Sequence, residues 1–426
     1  MLFLVIASAV QVFILSNVQF TPWPEMLLWP WLINQGWVPF TDLILAHTPL
    51  LYLSLSLWYR LVGPGLIALK IFTWIYILIT ATALWIITIK QSGKKSAAIS
   101  LLLYFMMQTI YQGNGVWFDL ALAPMSLLIY YFLTSQRVGM AGILFSVSFF
   151  IKQTSFWLIF PIIWQLLTTR SVQRFLTAAV VTSVIILSMF ALIGILDDFY
   201  LWTIRVGVFS LSRSQWQSQW PTLSQAIVFL FLPFVVSVFD YKLAPWIIFA
   251  SLGVFPRWEL FHFQPALPFL VLGLVQISIK NRKFFSVLLV LISLLYFRVL
   301  IRDWGKPDRF FDPDTLQAVQ FIQAQTKPSD NLYVFNYWDH IYFLSNRLPA
   351  TRPYVPSFPV FLNISGIQLE MVKDLEANRP PFVVYHPLEK SGYGSYNPRP
   401  LWDYLNKDYQ VYQKISDQLW ILKRNE

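Results

Sequence analysis

Apolar residues recur through about residue 301 in runs long enough to cross a hydrocarbon core of about 30 Å. Short stretches with Lys, Arg, Pro, Gly or Asp separate the runs, as expected for helices joined by turns. The first run lacks the basic start and the small-residue cleavage site of a signal peptide, so we expect it to remain as the first span. The pattern predicts a polytopic α-helical membrane protein with about 11 transmembrane helices, at 1–18, 66–89, 97–111, 117–134, 138–151, 155–168, 175–195, 223–239, 243–256, 265–279 and 284–301.

The pattern changes at Arg302, beyond which charged residues and prolines replace the apolar runs. Asp312 followed by proline is typical of a helix start, and we predict a helix to about Gln325. Alternating apolar residues predict strands at 332–335 and 382–385, and a hairpin of 410–415 with 418–423. We therefore predict two domains, a transmembrane domain over 1–301 and a small soluble α/β domain over 302–426.

Composition supports the membrane class. Of the 426 residues, 57% are hydrophobic and only 12% are charged, and the mean hydropathy is +0.56. The 19 tryptophans and 20 tyrosines are numerous enough to form belts at both membrane surfaces. The chain contains no cysteine, which excludes disulfides, thiolate metal sites and cysteine nucleophiles.

The net charge of +10 comes from short clusters of Lys and Arg between the apolar runs. No face combines these cations with aromatic residues, so we interpret them as topology signals and exclude nucleic acid as a partner. A cytoplasmic N-terminus satisfies the positive-inside rule. This orientation puts the first loop, 19–65, and the domain 302–426 on the outer side, and predicts a multi-pass protein of the cytoplasmic membrane.

The first outer loop combines tryptophans with acids. Pro24 suits a first helical position and Gly36 suits a helix C-cap, so we predict a short interfacial helix over 24–35 with a kink at its internal proline. Glu25 lies in the first turn of this helix, and Asp42 and His47 follow it. The alternative is an interfacial anchor whose acids simply face water.

Polar side chains also interrupt or flank the later spans on the outer side. They are Asp119 after the NGVW turn, Lys152 and Gln153 within FIKQTSFW, Arg205 and Arg213 in the loop 196–222, and Arg257, Glu259 and His262 within RWELFHF. A transporter is expected to hold its ionisable groups at mid-membrane beside broken helices. Carboxylates and cations at span ends instead predict a site at the membrane surface.

Lys152 is the most informative of these cations, because apolar residues precede and follow it. An anionic partner would explain its desolvation, and snorkelling to the surface is the alternative. Asp119 suits a helix cap or a partner for a nearby cation. Arg257 and His262 are alternatively a pair that flanks a helix, and Arg213 alternatively lies in a disordered connection.

No metal site is predicted. Glu25, Asp42 and Asp119 are hard oxygen ligands that could hold Mg²⁺ or Mn²⁺ if they converge, but three acids from separate loops are no signature. In the C-terminal domain, Asp339, His340, His386 and Glu389 are too scattered for a metal site, and we expect surface or cap roles for them.

Several motifs together resemble the GT-C glycosyltransferases of the protein mannosyltransferase and aminoarabinose transferase type. The Trp-rich first loop with GWVPFTD and HTPLLYLSLSLWYRLVG is similar to the first loop of that superfamily. FIKQTSFWLIFP and RWELFHFQPALPFL resemble its later outer-side motifs, and NYWDHIYFLSNRLPATRP resembles its C-terminal outer domain. The chain differs in having one acid, Glu25, where a pair is usual, and Thr48-Pro49 where Pro-Pro is usual.

The resemblance implies a polyprenyl-phosphate-linked sugar as donor, a catalytic base in the first loop, inversion at the anomeric carbon, and a lipid, glycan or protein acceptor at the outer face of the membrane. Glu25 and Asp42 are then the candidate bases. The candidate residues for donor and phosphate binding are His47, Asp119, Lys152, Gln153, Arg205, Arg257, Glu259 and His262.

Two other classes fit parts of the pattern. A transporter or flippase of lipid-linked sugars would use the same cations for the head group and would leave the glycosidic bond intact. A sensor or assembly protein would use the outer domain for partner contact, and would bind without turnover.

Overall fold

A computed structural model of the chain describes residues 1–167, 171–210, 220–255, 257–388 and 398–425. Each predicted apolar run contains a helix. The helices of this part are α1 (Leu2–Asn17), α2 (Pro24–Asn34), α3 (Leu50–Val62), α4 (Leu66–Ile110), α5 (Phe118–Thr134), α6 (Val138–Ile151), α7 (Ile159–Leu167), α8 (Val172–Leu192), α9 (Leu196–Phe199), α10 (Leu223–Phe239), α11 (Ala244–Ser251), α12 (Leu267–Lys280) and α13 (Arg282–Asp303). Tight 3-10 turns cover Gln153–Leu158, Leu252–Val254 and Leu260–Ala266, and a π-helical segment covers Tyr200–Ser210.

Four helices among the described residues are long and apolar enough to cross a membrane, at Leu66–Ile110, Val172–Leu192, Leu260–Lys280 and Arg282–Asp303. The predicted runs 66–89 and 97–111 both fall in α4. Gly93 interrupts α4 with a non-helical backbone (φ 85°, ψ 176°) that glycine adopts readily, so α4 consists of two helices. The shorter apolar helices have 10–17 residues when α7 and α11 are counted with their adjoining 3-10 turns. The count of eleven spans stays a prediction.

Large apolar side chains lie exposed along α8 and α13. Only 17% and 11% of the most apolar windows of these two helices are buried inside the protein. Such continuous apolar surfaces are unsuited to water and are suited to contact with lipid tails. The structure therefore supports the predicted membrane setting.

The predicted helix of the first loop is confirmed, as α2. It begins at Pro24 and ends at Asn34, and Gly36 follows it with a positive φ of 87°. Eight of its 11 residues are buried. It packs on α3, and the centre of its Trp31 ring lies 6.0 Å from that of Phe343 in the C-terminal domain. The helix is thus wedged between the two parts of the protein.

The C-terminal domain has a four-stranded sheet in the order β1-β2-β4-β3. Its elements are α14 (Pro313–Gln325), β1 (Tyr333–Phe335), α15 (His340–Ser345), α16 (Pro359–Leu362), α17 (Ile367–Asn378), β2 (Phe382–Tyr385), α18 (Arg399–Asp408), β3 (Tyr409–Lys414) and β4 (Trp420–Arg424). Strands β1 and β2 are parallel, whereas β4 pairs antiparallel with β2 and β3. The predicted helix, the two strands and the hairpin are confirmed to within two residues.

Residues of the first loop hold the C-terminal domain in place. Asp42 receives two hydrogen bonds from the Arg352 guanidinium, at 2.9 Å from Nε and 2.7 Å from Nη2. Backbone hydrogen bonds from Ile44 to Tyr354 and from Tyr354 to Asp42 extend this contact. The Arg352 guanidinium also lies 5.1 Å from the centre of the Trp37 ring. The C-terminal domain therefore docks against the first loop.

Candidate active site

Three charged or polar side chains from distant segments meet in the buried triad, which we define as Asp119, Lys152 and His262. Lys152 Nζ lies 2.6 Å and His262 Nδ1 lies 2.7 Å from the same carboxylate oxygen, Asp119 Oδ2. Lys152 Nζ and His262 Nδ1 are 3.3 Å apart. All three residues are buried. The sequence predicted each of them as a candidate, and the structure brings them together.

Helix ends position the buried triad. Asp119 lies in the first turn of α5, Lys152 is the residue after α6, and His262 lies in the 3-10 turn before α12. Ser126 Oγ of α5 donates a hydrogen bond to the Pro265 carbonyl at 2.9 Å, which fixes α5 against that turn. The site therefore forms where three spans end on the same side.

Lys152 does not snorkel, because only 3% of it is exposed. Its partner is Asp119, in agreement with the prediction that Asp119 pairs with a nearby cation. A buried lysine and carboxylate need further hydrogen bonds to offset their lost hydration. Asp119 Oδ1 is buried without a partner among the described residues, so the buried triad keeps unused capacity for a ligand.

His47 and Gln153 lie beside the buried triad. The His47 ring packs on Phe118 at 4.5 Å, and Gln153 Nε2 donates to the Ala46 carbonyl at 2.9 Å. Burial, followed by the charge of Lys152, lowers the pKa of His47 to about 3, so its imidazole is neutral near pH 7. Gln153 Oε1 is buried with no partner in the described structure. These two side chains supply neutral polar groups rather than charge.

Glu25 forms a second polar centre. Its Oε2 is buried without a hydrogen-bond partner in the described parts of the chain. Burial raises the pKa of Glu25, and a hydrogen bond from its own backbone amide and the nearby charge of Arg257 offset only part of that effect. Arg257 Nη2 pairs with Glu259 Oε1 at 2.5 Å, and both of these side chains interact electrostatically with Glu25. A carboxylate with one unpartnered oxygen and raised basicity is suited to accept a proton.

Aromatic rings connect Glu25 with the buried triad. The centre of the Trp23 ring lies 5.1 Å from that of Trp117 and 4.8 Å from that of Phe261. The Phe261 ring in turn lies 4.3 Å, centre to centre, from the His262 ring. The close turn before α5 depends on Gly115, where an added Cβ would lie 2.4 Å from the Thr21 carbonyl oxygen. The two polar centres are thus neighbours that an aromatic cluster separates from direct contact.

Two candidates lie elsewhere. The Asp42 carboxylate accepts hydrogen bonds from Arg352 and, at 2.8 Å, from the Val38 amide. The hydrogen bonds from Arg352 are the main reason that the pKa of Asp42 is lowered. Arg205 is exposed in the π-helical segment. Arg213 and Glu389 lie outside the described residues.

Sequence reasoning missed Asp339 and His340, for which we expected surface or cap roles. A surface role is wrong, because Asp339 is only 9% exposed and His340 is fully buried. Asp339 does occupy the N-cap position of α15, but without a capping hydrogen bond from its side chain. His340 Nε2 hydrogen-bonds to the Phe310 carbonyl at 2.8 Å. Burial raises the pKa of Asp339 to about 7, and repulsion from the Glu25 carboxylate adds to the shift. The available signal was the position of Asp339 four residues after a strand, where ligand-binding loops of α/β domains lie.

The described residues contain no group of three His, Asp or Glu side chains that could hold a metal ion. Asp42 is bound to Arg352, and Asp119 is bound to Lys152 and His262. Asp42 and Asp119 thus each pair with different cationic side chains, and neither of them pairs with Glu25 in a shared cluster among the described residues.

No protein-family model and no curated protein matches the sequence. Solved structures do match it. The crystal structure of ArnT from Cupriavidus metallidurans in the apo state superposes with a TM-score of 0.69 at 12% identity, covering 99% of this chain and 97% of ArnT. The structure of the same protein bound to undecaprenyl phosphate gives a TM-score of 0.65 at 13% identity with the same coverage. The resemblance inferred from the motifs is confirmed, and the chain has the fold of ArnT, a GT-C membrane glycosyltransferase.

Proposed function

We propose that the protein transfers a sugar from a polyprenyl phosphate to an acceptor at the outer face of the cytoplasmic membrane. The observation that carries the proposal is the buried triad, in which Lys152 and His262 meet the Asp119 carboxylate where three helices end. ArnT has the same fold and has been crystallised with undecaprenyl phosphate. A lipid phosphate at the buried triad accounts for both facts.

The buried triad has donors to spare for a phosphate. An ammonium group has three donors, and Lys152 directs one of them at Asp119. His262 Nδ1 is engaged with Asp119, and a neutral imidazole with its proton on Nδ1 has no second donor, so His262 positions the Asp119 carboxylate. Charge-assisted hydrogen bonds to a phosphate are about twice as strong as neutral ones. Lys152 therefore stabilises the charge that develops on the phosphate as it leaves, and His262 positions the Asp119 carboxylate beside it.

Glu25 is the better candidate for the base. Both carboxylate oxygens of Asp42 accept hydrogen bonds from Arg352, whereas Glu25 Oε2 has no partner in the described structure. Asp42 is held at low basicity and Glu25 at raised basicity, as the directions of their pKa shifts indicate. We therefore assign the proton acceptor to Glu25 and a docking role to Asp42.

The reaction is then a single displacement. The acceptor hydroxyl oxygen forms a bond to the anomeric carbon of the donor sugar while the bond from that carbon to the phosphate oxygen breaks. The electron pair of the broken bond stays on the phosphate, where the Lys152 ammonium group stabilises it, and the hydroxyl proton passes to Glu25. Attack from the face opposite the phosphate inverts the anomeric carbon.

Mass spectrometry of lipids and glycans from cells with and without the gene tests the proposal. We expect one polyprenyl-phosphate sugar to accumulate and one glycosylated product to disappear when the gene is deleted. A plasmid copy of the gene restores the product, and a copy with Glu25→Gln does not. Unchanged lipid-linked sugars and unchanged glycans in the deletion strain would contradict the proposal.

A further inference from the structure

A cleft of about 200 Å³ lies between the start of α2 and the C-terminal domain, and we name it the domain cleft. Glu25 lies in one wall, and the loop 336–339, His386 and Gln418 contribute to the other. The loop 336–339 follows β1, and His386 follows β2, which is the parallel neighbour of β1. Open α/β sheets bind ligands outside the carboxyl ends of their parallel strands. The ligand-binding edge of this domain therefore faces the candidate base.

The loops of the domain cleft are held in one arrangement. Asn336 adopts a left-handed conformation (φ 63°), which is uncommon for a residue other than glycine, and its Nδ2 donates to the His386 carbonyl at 3.0 Å. His386 Nδ1 hydrogen-bonds to the Gln418 carbonyl. Strained backbone of this kind persists where neighbouring contacts enforce it, and it clusters at ligand sites. The cleft is preorganised rather than an accidental gap.

Aromatic and polar groups alternate in the lining. Tyr337, Trp338 and Phe358 contribute rings, and Ser357 contributes a hydroxyl. Trp338 remains 43% exposed, and its ring is braced edge-on by Phe310 at 4.7 Å. A sugar ring has apolar C–H faces and a rim of hydroxyls, which match an aromatic platform with hydrogen-bonding neighbours. A lipid tail would leave the polar groups of this lining without partners.

Two carboxyl groups face each other across the domain cleft. Asp339 is buried in its wall, and the Glu25 carboxylate is close enough to act on Asp339 electrostatically. Asp339 occupies the N-cap position of α15, yet its side chain makes no capping hydrogen bond. A carboxyl group has about four acceptor positions, so beyond its hydrogen bond with Tyr354 the Asp339 carboxyl group can also hydrogen-bond to a ligand hydroxyl next to the one that Glu25 deprotonates.

We propose that the domain cleft is the acceptor subsite and that it takes one carbohydrate ring, stacked on Trp338 and directed by Asp339 so that one hydroxyl meets Glu25. This inference rests on the proposed function, because Glu25 acts as the base in both. It narrows the acceptor from a lipid, glycan or protein to a carbohydrate. Trp338 and Asp339 are then positioning residues for the acceptor, and they do not contact the phosphate of the donor.

Binding of methyl glycosides of glucose, galactose and mannose tests the inference without any need for turnover. We would measure saturation-transfer NMR with the purified full chain in lipid nanodiscs. At least one glycoside should bind the wild-type protein, and Trp338→Ala should weaken that binding about three- to tenfold. Trp304→Ala is the matched control, because Trp304 is a comparably exposed tryptophan (46%) outside the domain cleft. Trp304→Ala should bind as the wild type does.

A second readout covers the case in which Trp338→Ala folds poorly. Asp339→Asn keeps the volume of the side chain, and in a transfer assay it should raise the acceptor KM about tenfold while the donor KM stays unchanged. Absence of glycoside binding, or equal binding by wild type and Trp338→Ala, would overturn the acceptor subsite even if the protein transfers sugar. Glycoside binding without any transfer would instead contradict the proposed function.

Discussion

Lys152 is buried where an unpaired charge would be strongly destabilising, and its ion pair with Asp119 offsets that cost. The sequence indicated that Lys152 needs an anionic partner, because apolar residues flank it on both sides. It could not identify that partner, since Asp119 is 33 residues away and His262 is 110 residues away. These residues come into contact because the start of α5, the end of α6 and the turn before α12 pack against one another in the folded protein.

Lys152→Met should weaken binding of the lipid donor by about 10–150-fold, because a charge-assisted contact with phosphate contributes about 1.5–3 kcal/mol. This substitution also leaves Asp119 buried without its cation, so the variant should be less stable. The matched control is the double variant Lys152→Met with Asp119→Asn, which removes both charges. It should recover the thermal stability without recovering donor affinity, whereas Lys152→Arg should retain part of the affinity. Unchanged donor affinity in Lys152→Met would remove this residue from the donor site.

Glu25→Gln should lower the turnover rate by about 10²–10⁴-fold with donor binding nearly unchanged, because the amide keeps the shape of the side chain but cannot accept the proton. Asp42→Asn is the comparison, and it should retain most of the turnover because Asp42 serves to dock the C-terminal domain. Normal turnover in Glu25→Gln together with an inactive Asp42→Asn would move the base to Asp42.

The pH dependence of kcat reports on the same residue. A base must be ionised to act, and burial raises the pKa of Glu25 above its ordinary value of 4.5. The rate should therefore fall on the acid side at a pH above 4.5, where an ordinary glutamate would still be ionised. Glu25→Asp should shift this acid limb of the profile. An acid limb that stays in place in Glu25→Asp would show that another group titrates.

At the scale of elements, local patterns predicted helices and strands well. Pro24 and Gly36 mark the limits of α2, and Asp312-Pro313 marks the start of α14, whose N-cap side chain accepts a hydrogen bond from the Thr315 amide at 2.9 Å. The surroundings of α2 were not predictable. Its burial depends on α3 and α15 together, and contacts over such sequence distances leave no local signal.

The ion pair between Asp42 and Arg352 should control how tightly the first loop holds the C-terminal domain. Asp42→Asn should speed amide hydrogen exchange at Ile44 and Tyr354, whose backbone hydrogen bonds join the two parts, by up to about fivefold. The matched control is Asp403→Asn, which breaks the exposed pair with Arg399 and should leave those two amides unchanged.

Acid should have the same effect as Asp42→Asn. The pKa of Asp42 is lowered in the folded protein, so the ion pair contributes fully above the ordinary value of 3.8 and is lost as the pH falls below it. The protection factors of the Ile44 and Tyr354 amides, which are corrected for the pH dependence of intrinsic exchange, should therefore fall below about pH 4 in the wild type, and less so in Asp42→Asn. Identical acid profiles in the two proteins would show that the ion pair does not fasten the domain.

At the scale of the whole molecule, contacts join three of the basic turns between the helices. Lys90 Nζ hydrogen-bonds to Tyr131 Oη at 2.6 Å, and Gln276 Nε2 contacts Ser92 Oγ at 3.4 Å, so the loop ends near 90–95, 131–137 and 276–283 lie together. The sequence predicted this grouping from the positions of lysines and arginines alone.

Reporter fusions test that orientation. A reporter after residue 302 should be extracytoplasmic, and reporters after Lys95 and Lys283 should be cytoplasmic. An intact C-terminal fusion with a cytoplasmic signal would reverse the orientation and place every candidate residue on the inner side.

The most direct measurement follows a labelled polyprenyl-phosphate sugar, of the kind that accumulates in the deletion strain, with the purified protein and an acceptor extract. We expect the label to move from the lipid to the acceptor with equal release of polyprenyl phosphate, and this transfer to be lost in Glu25→Gln. A flippase of lipid-linked sugars would move the intact donor between membrane leaflets and leave every glycosidic bond unbroken. An unbroken donor after prolonged incubation with active wild-type protein would contradict the assignment as a glycosyltransferase.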